Sequence, residues 1–218
     1  MASSREHSPR VDVEISFDQQ SYSFSQAFPP IFTLKITSKA STLITLFTWN
    51  TPLSLPSAFT SNGVTITDTT MNEPVQTALI MVQRAPLKRT KGTSDEKYFV
   101  TLSPNIVVDL STGFGRAGGG VKPQPKSIVE RGLKLNENST PMNIRRSKFA
   151  TGVDGLEPGH KYCIGLNNDA LKRVWWAPVD RDEILVNVTA EGSYVQDYEW
   201  VKTPLQWNVI EATLEVEE

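Results

Sequence analysis

The chain has very few of the side chains that carry most acid–base and metal chemistry near neutral pH. Its 218 residues include two histidines, His7 and His160, and one cysteine, Cys163. That stock cannot build a zinc site of the usual His/Cys ligand types, so neither metal nor cofactor is expected. A single cysteine cannot close an internal disulfide, which fits a reducing compartment. No stretch approaches the ~20 consecutive apolar residues of a bilayer-spanning helix. The opening residues MASSREHSPR hold no apolar core of a secretory signal. A cytoplasmic protein without a membrane partner is the expectation. Positive charge is not in excess either: 22 basic against 24 acidic side chains leave a net charge of −2. Nucleic-acid binding needs a cationic surplus to displace counterions, so no nucleic-acid partner is expected. Gly-x-Ser-x-Gly is absent, as is Gly-Lys-Ser/Thr after a strand, and serine-hydrolase and phosphate-loop readings go with them.

What the chain does have is alternation. Val11, Val13, Ile15 and Phe17 alternate with Asp12, Glu14 and Ser16, and Phe32, Leu34 and Ile36 with Thr33, Lys35 and Thr37. Period-two patterning of this kind gives a strand with one wet face. Residues 42–49, TLITLFTW, are apolar on both faces, as in a central strand. Asn62-Gly63 signals a hairpin leading into Val64 and Ile66. Further strands are expected near 78–83, 98–102, 105–110, 161–167, 172–176 and 183–189. Near the end, Ile210, Ala212, Leu214 and Val216 should share one face. No long stretch repeats with helical period; residues 126–136 have room for one or two turns. The fold class is all-β, an immunoglobulin-like sandwich of two sheets.

Residues 113–155 break the rhythm with a Gly- and Pro-rich insertion. It carries eight basic against three acidic residues, a local charge of +5, whereas 180–218 have a local charge of −8. We therefore expect a disordered tail over 1–10, a sandwich over 11–190 with the basic insertion at 113–155, and a C-terminal extension over 191–218 contributing an edge strand. A second copy could pair with that edge to form a homodimer. Arg145, Arg146 and Lys148 in the insertion are candidates for contacting an acidic partner, the extension among them.

His160 and Cys163 stand three residues apart in GLEPGHKYCIGL (155–166). The pattern Leu156-x-Pro-Gly-x-x-Tyr162-x-Ile164-x-Leu166 resembles the tyrosine corner of fibronectin type III and related immunoglobulin-like sandwiches, in which a tyrosine hydroxyl bonds back to the turn before its strand. That resemblance puts Tyr162, Ile164 and Leu166 on the inward face, His160 in the turn and Cys163 on the opposite face. A His/Cys catalytic pair is not expected. A second resemblance spans 11–115 and resumes over 155–190. LFTWNTPL (46–53), VQRAP (82–86) and YFVTLSPNIVVDLSTGFG (98–115) follow the order seen in the β-sandwich pro-region of fungal deuterolysin-type metalloproteases and its stand-alone relatives. Asn105 stands where those carry glycine, and no His-Glu-x-x-His occurs in the chain. The resemblance implies a fold and a fungal origin, and no protease activity.

The segment that stands out chemically is KRVWWAPVDRDEIL (172–185). In a strand Trp175 and Trp176 must point to opposite faces, one into the core and the other outward. Tyr194, Tyr198, Trp200 and Trp207 lie in a segment that could cover the outward ring. We take Trp175, Trp176, Tyr198 and Trp200 as candidate ligand-binding residues. The leading expectation is a non-catalytic module binding a protein or an apolar small molecule. The rival is a cofactor-free isomerase or cyclase for an apolar metabolite, with Asp180, Asp182 or Glu183 as general acid. NND (167–169) and DRDE (180–183) read as turns rather than as calcium ligands.

Overall fold

The structure, a computed structural model, describes residues 8–80, 84–115, 123–128, 150–188 and 193–217. Among these residues twelve strands run in chain order: β1 (Arg10–Phe17), β2 (Ser21–Ser23), β3 (Ile31–Ser38), β4 (Ile44–Phe47), β5 (Val64–Asp68), β6 (Glu73–Pro74), β7 (Phe99–Leu102), β8 (Val107–Gly113), β9 (Lys161–Leu166), β10 (Trp175–Ala177), β11 (Gln206–Ile210) and β12 (Ala212–Glu217). They form a four-stranded sheet in the order β11-β1-β3-β8, a five-stranded sheet in the order β2-β12-β9-β5-β6, and a three-stranded sheet β10-β4-β7. Two short helices, α1 (Asn168–Leu171) and α2 (Arg181–Ile184), flank β10.

The alternation has its physical outcome in the burial. Val11, Val13 and Ile15 of β1 and Phe32, Leu34 and Ile36 of β3 are buried, and the residues between them are not. They pack in one core with Val64, Ile66, Tyr162, Ile164, Leu166, Leu214 and Val216 of the five-stranded sheet and with Ile44, Leu46, Leu102 and Trp176 of the third. The protein is an all-β sandwich. No helix among the described residues is long and apolar enough to cross a membrane.

The corner forms as its sequence pattern requires. The Glu157 N–H donates to the Tyr162 hydroxyl (2.8 Å), which points back at the Glu157 carbonyl (3.3 Å). Burial pushes the phenol up to about 12, offset in part by the Glu157 amide, so the hydroxyl is neutral at any physiological pH. Tyr162→Phe removes the acceptor of a half-buried amide and should cost about 0.5–1.5 kcal/mol in denaturant unfolding. An unchanged midpoint would mean that the corner bond contributes nothing.

The C-terminal segment differs from its expected form. The face shared by Ile210, Ala212, Leu214 and Val216 is divided, because the chain changes sheets at Glu211. β11 is the edge strand, lying parallel to β1 with Arg10 opposite Gln206, and its Ile210 is exposed. β12 is an interior strand, parallel to β2 and antiparallel to β9, with Leu214 opposite Tyr162. Residues 206–217 are thus built into both large sheets.

Other expectations shift for local reasons. Asn62 takes the left-handed conformation (φ 60), but it closes the 3₁₀ turn Ser57–Thr60, with the Gly63 N–H donating to the Ala58 carbonyl. The hairpin forms one strand later, between β5 and β6, with Asn72 (φ 57) in its turn. Residues 78–80 form no strand, and 81–83 lie outside the described residues. Over 172–176 the strand begins only at Trp175. Of the strand expected over 183–189, residue 189 lies outside the described residues, and 183–188 are instead the end of α2 and irregular chain. DRDE is the reason: Asp180 caps α2 by accepting from the Asp182 N–H, and Glu183 reaches back to the Asp180 N–H. That is a capping box, which holds the chain in a helical turn.

The insertion is tied down at both ends. Phe114 follows β8 into the core, against Phe17, Tyr22 and Phe59. Thr151 and Val153 are buried at the returning end, where Thr151 donates its hydroxyl and N–H to Asp154. Arg145, Arg146 and Lys148 lie outside the described residues, as does most of the tail at 1–10.

Candidate functional site

The site is assembled on the outer face of the three-stranded sheet. Strand pairing places Trp175 opposite Phe47 and Phe47 opposite Phe99. Directly opposed residues share a face, so three strands contribute a row of three rings. Their inward neighbours Trp176 and Leu46 enter the main core. This is why β4 is buried on both faces and reads as apolar throughout.

The chain after β10 returns over this row. The Val201 N–H donates to the Trp176 carbonyl (3.0 Å), which pins the segment beside β10. The Trp176 indole donates to the Thr203 carbonyl (2.8 Å), and the Trp200 indole to the Val195 carbonyl (2.8 Å). So held, Trp200 lies over the row. It stacks on Phe99 (6.3 Å between centroids, 25°) and lies tilted against Phe47 (6.0 Å, 38°) and Trp175 (6.0 Å, 36°). Tyr198 meets Trp200 edge-on at 5.0 Å. Leu87, Ile184, Leu185 and Val195 complete a second apolar cluster beneath these rings. Residues 87–91 support it by backbone bonds to 186 and 193–195. The cluster's flank is polar: Arg84 lies over Trp49 and Tyr98 and is paired with Asp95.

Trp200 covers the row incompletely. Trp175 remains 41% exposed where Trp176 is 7% exposed. Beside it opens a cavity of about 600 Å³, accessible from solvent. Phe47, Trp49, Trp175 and Trp200 provide its aromatic wall, and Lys172, Arg173 and Lys202 belong to its lining. Lys172 and Arg173 are held in place by the turn that ends α1, which Asn167 caps through the Asp169 and Ala170 N–H groups. The NND segment is therefore a helix cap.

Of the residues singled out in the sequence, the structure brings Trp175, Tyr198 and Trp200 together, with Trp176 on the opposite face as strand geometry requires. Trp207 is elsewhere. It stands opposite Val11 on β11, half-buried against the main core, and its indole nitrogen is buried without a hydrogen-bond partner. Asp180, Asp182 and Glu183 do not line the cavity: the first and last form the capping box of α2, and Asp182 meets Lys91 at 3.4 Å. Among the described residues the lining holds cations and no carboxylate, the reverse of the expected charge. Phe47, Trp49 and Lys202 were missed because only the β4–β10 register and the returning segment bring them beside Trp175, whereas Arg173 precedes Trp175 by two residues in KRVWW. The one signal in the sequence was TLFTW, apolar on a face the main core does not need.

His160 and Cys163 are separated as the corner reading expects. The His160 ring meets the Asp68 carboxylate (Nδ1 to Oδ2, 2.6 Å). Burial raises the Asp68 carboxyl, but the His160 bond and the Met71 and Thr70 N–H groups outweigh it and hold it below its ordinary value. Cys163 donates instead to Glu211 (2.9 Å). Burial and that carboxylate push the thiol up to about 11, so Cys163 is a neutral thiol bonded to Glu211 and not a thiolate paired with His160. Among the described residues, no group of three or more His, Cys, Asp and Glu side chains is arranged to hold a metal ion. No protein-family model matches the chain, and no curated protein matches it.

Proposed function

We propose that the protein is an intracellular, non-catalytic binding module whose occupant is a small apolar molecule held in the cavity beside Trp175. The observation that carries this reading is the half-exposed Trp175, stacked on Phe47 at 5.9 Å and 28° and left open by Trp200. Large rings fixed by packing on both sides lose little freedom on binding, and a cavity of this size suits a drug-sized ligand. A general acid for isomerisation or cyclisation finds no support in the lining, which contains no carboxylate among the described residues. A protein partner or second copy would use the outer edge of β11, which has no strand beside it among the described residues. The cavity is favoured over that edge because it offers aromatic surface. Asn105 supports the likeness to deuterolysin-type pro-regions: it sits at φ 58, the left-handed position for which their glycine is suited, in a turn closed by the Ile106 N–H on the Ser103 carbonyl.

The test is titration with a neutral naphthalene dye, N-phenylnaphthylamine, followed by its emission. Saturable binding at one site per chain is expected, weakened at least ~10-fold by Trp175→Ala, in line with the loss of one large aromatic contact. Equal binding by the Trp175→Ala variant would remove the cavity from consideration.

A further inference from the structure

Positive charge at the cavity runs against the rest of the neighbourhood. Residues 180–218 carry ten carboxylates and two basic side chains, Arg181 and Lys202. One of those two, Lys202, lines the cavity, where Lys172 and Arg173 from the end of α1 join it. Asp169 ion-pairs with Lys172 at 2.8 Å and occupies that charge. Its carboxyl is held below its ordinary value first by Lys172 and more weakly by Arg173. Arg173 and Lys202 have no ion-pair partner among the described residues, and they reach the same cavity from two different elements. An aromatic wall with two cations outside any ion pair, and no carboxylate among the described lining residues, suits an anion that carries rings.

Resting on the cavity reading above, we infer that the natural occupant is a flat, ring-bearing small molecule with an acidic group, a carboxylate, sulfonate or phosphate. Its rings lie against Trp175 and Trp200, and its acid faces Arg173 and Lys202. A guanidinium offers planar, forked donors to such groups, and an ammonium adds a point charge. A neutral hydrocarbon of the same shape would leave both cations unused. Charge thus selects among ligands that the aromatic wall alone would accept equally.

The experiment compares two dyes on the full chain. Anilinonaphthalene sulfonate and N-phenylnaphthylamine share the same ring system and differ in the acidic group. The anionic dye should bind at least ~10-fold more tightly, as charge-assisted hydrogen bonds are stronger than neutral ones. That preference should shrink between about 0.02 M and about 0.5 M salt as the exposed charges are screened. In the double variant Arg173→Gln, Lys202→Gln the ratio of the two affinities should collapse toward one, with far-UV circular dichroism confirming the fold. Equal affinities in the unaltered protein, or a ratio that survives the double substitution, would overturn the inference while leaving the cavity intact. If neither dye saturates, or if Trp175→Ala leaves both unaffected, the cavity reading itself fails and the acidic ligand falls with it.

Discussion

Trp176→Ala should lower the unfolding free energy by about 3–5 kcal/mol, the range for truncating a large buried aromatic. Its neighbour Trp175→Ala should cost less than about 2 kcal/mol, the loss of partial burial and of one or two ring contacts. The asymmetry follows from the strand. Trp176 faces the main core beside Leu46, and its indole N–H is satisfied by the Thr203 carbonyl. Removing it opens a void between two sheets and takes the bond at Thr203, though not the backbone bond at Val201, from the segment that carries Trp200 over the outer face. Trp175 meets Phe47 and Trp200 on one side and solvent on the other. Urea denaturation of the two variants in parallel measures this directly. Equal losses would show that Trp175 is ordinary core and the cavity beside it is closed in solution.

Gly152→Ala is expected to be comparably damaging, at ~2–5 kcal/mol, from a left-handed backbone combined with forced overpacking. Gly152 sits at φ +81, and a methyl group there would lie 2.5 Å from both the Cβ and the carbonyl oxygen of Phe59. Phe59 is fully buried and wedged against Phe32 and Phe114, so it has nowhere to move. Gly159 is the internal control. It has nearly the same backbone angle (φ +82) with nothing within 4 Å of the added carbon, so Gly159→Ala should cost only the backbone share, ~1–2 kcal/mol. The difference in melting temperature between the two variants isolates the packing contribution. A difference near zero would mean that the returning end of the insertion is not pressed against Phe59.

The parts legible in the sequence were those that local geometry decides. β1 and β3 declare themselves through strict alternation, and the corner through a tyrosine five residues after the amide it accepts from. The opposed faces of Trp175 and Trp176 follow from strand geometry alone. Other features depend on competition between local signals. Residues 183–189, EILVNVT, are apolar enough for a strand, yet the reach of Glu183 back to Asp180 favours a helical turn, and DRDE contained that signal. The alternation of 210–216 runs unbroken through Glu211, so nothing local marks the change of sheet. The cavity's cations were hidden for a different reason. Arg173 and Lys202 are separated by 28 intervening residues, and it takes the bonds from Val201 to the Trp176 carbonyl and from the Trp176 indole to the Thr203 carbonyl to bring their elements together. Side-chain type announced an aromatic site; its charge emerged from tertiary structure.

The pairing of β1 with β11 also sets a clock on synthesis. Arg10 meets Gln206, and Tyr22 meets Val216, so both large sheets wait for strands made nearly 200 residues later. At ~5–20 residues per second, β1 and β2 stay without those neighbours for roughly 10–40 s on the ribosome. During that interval β12 is not yet in place between β2 and β9, and Val11, Val13 and Ile15 lack part of their cover. Long-range pairings of this kind fold slowly and leave strand edges open. The growing chain, more than the finished sandwich, is therefore the species with open strand edges, and those edges close only once residue 217 has left the exit tunnel.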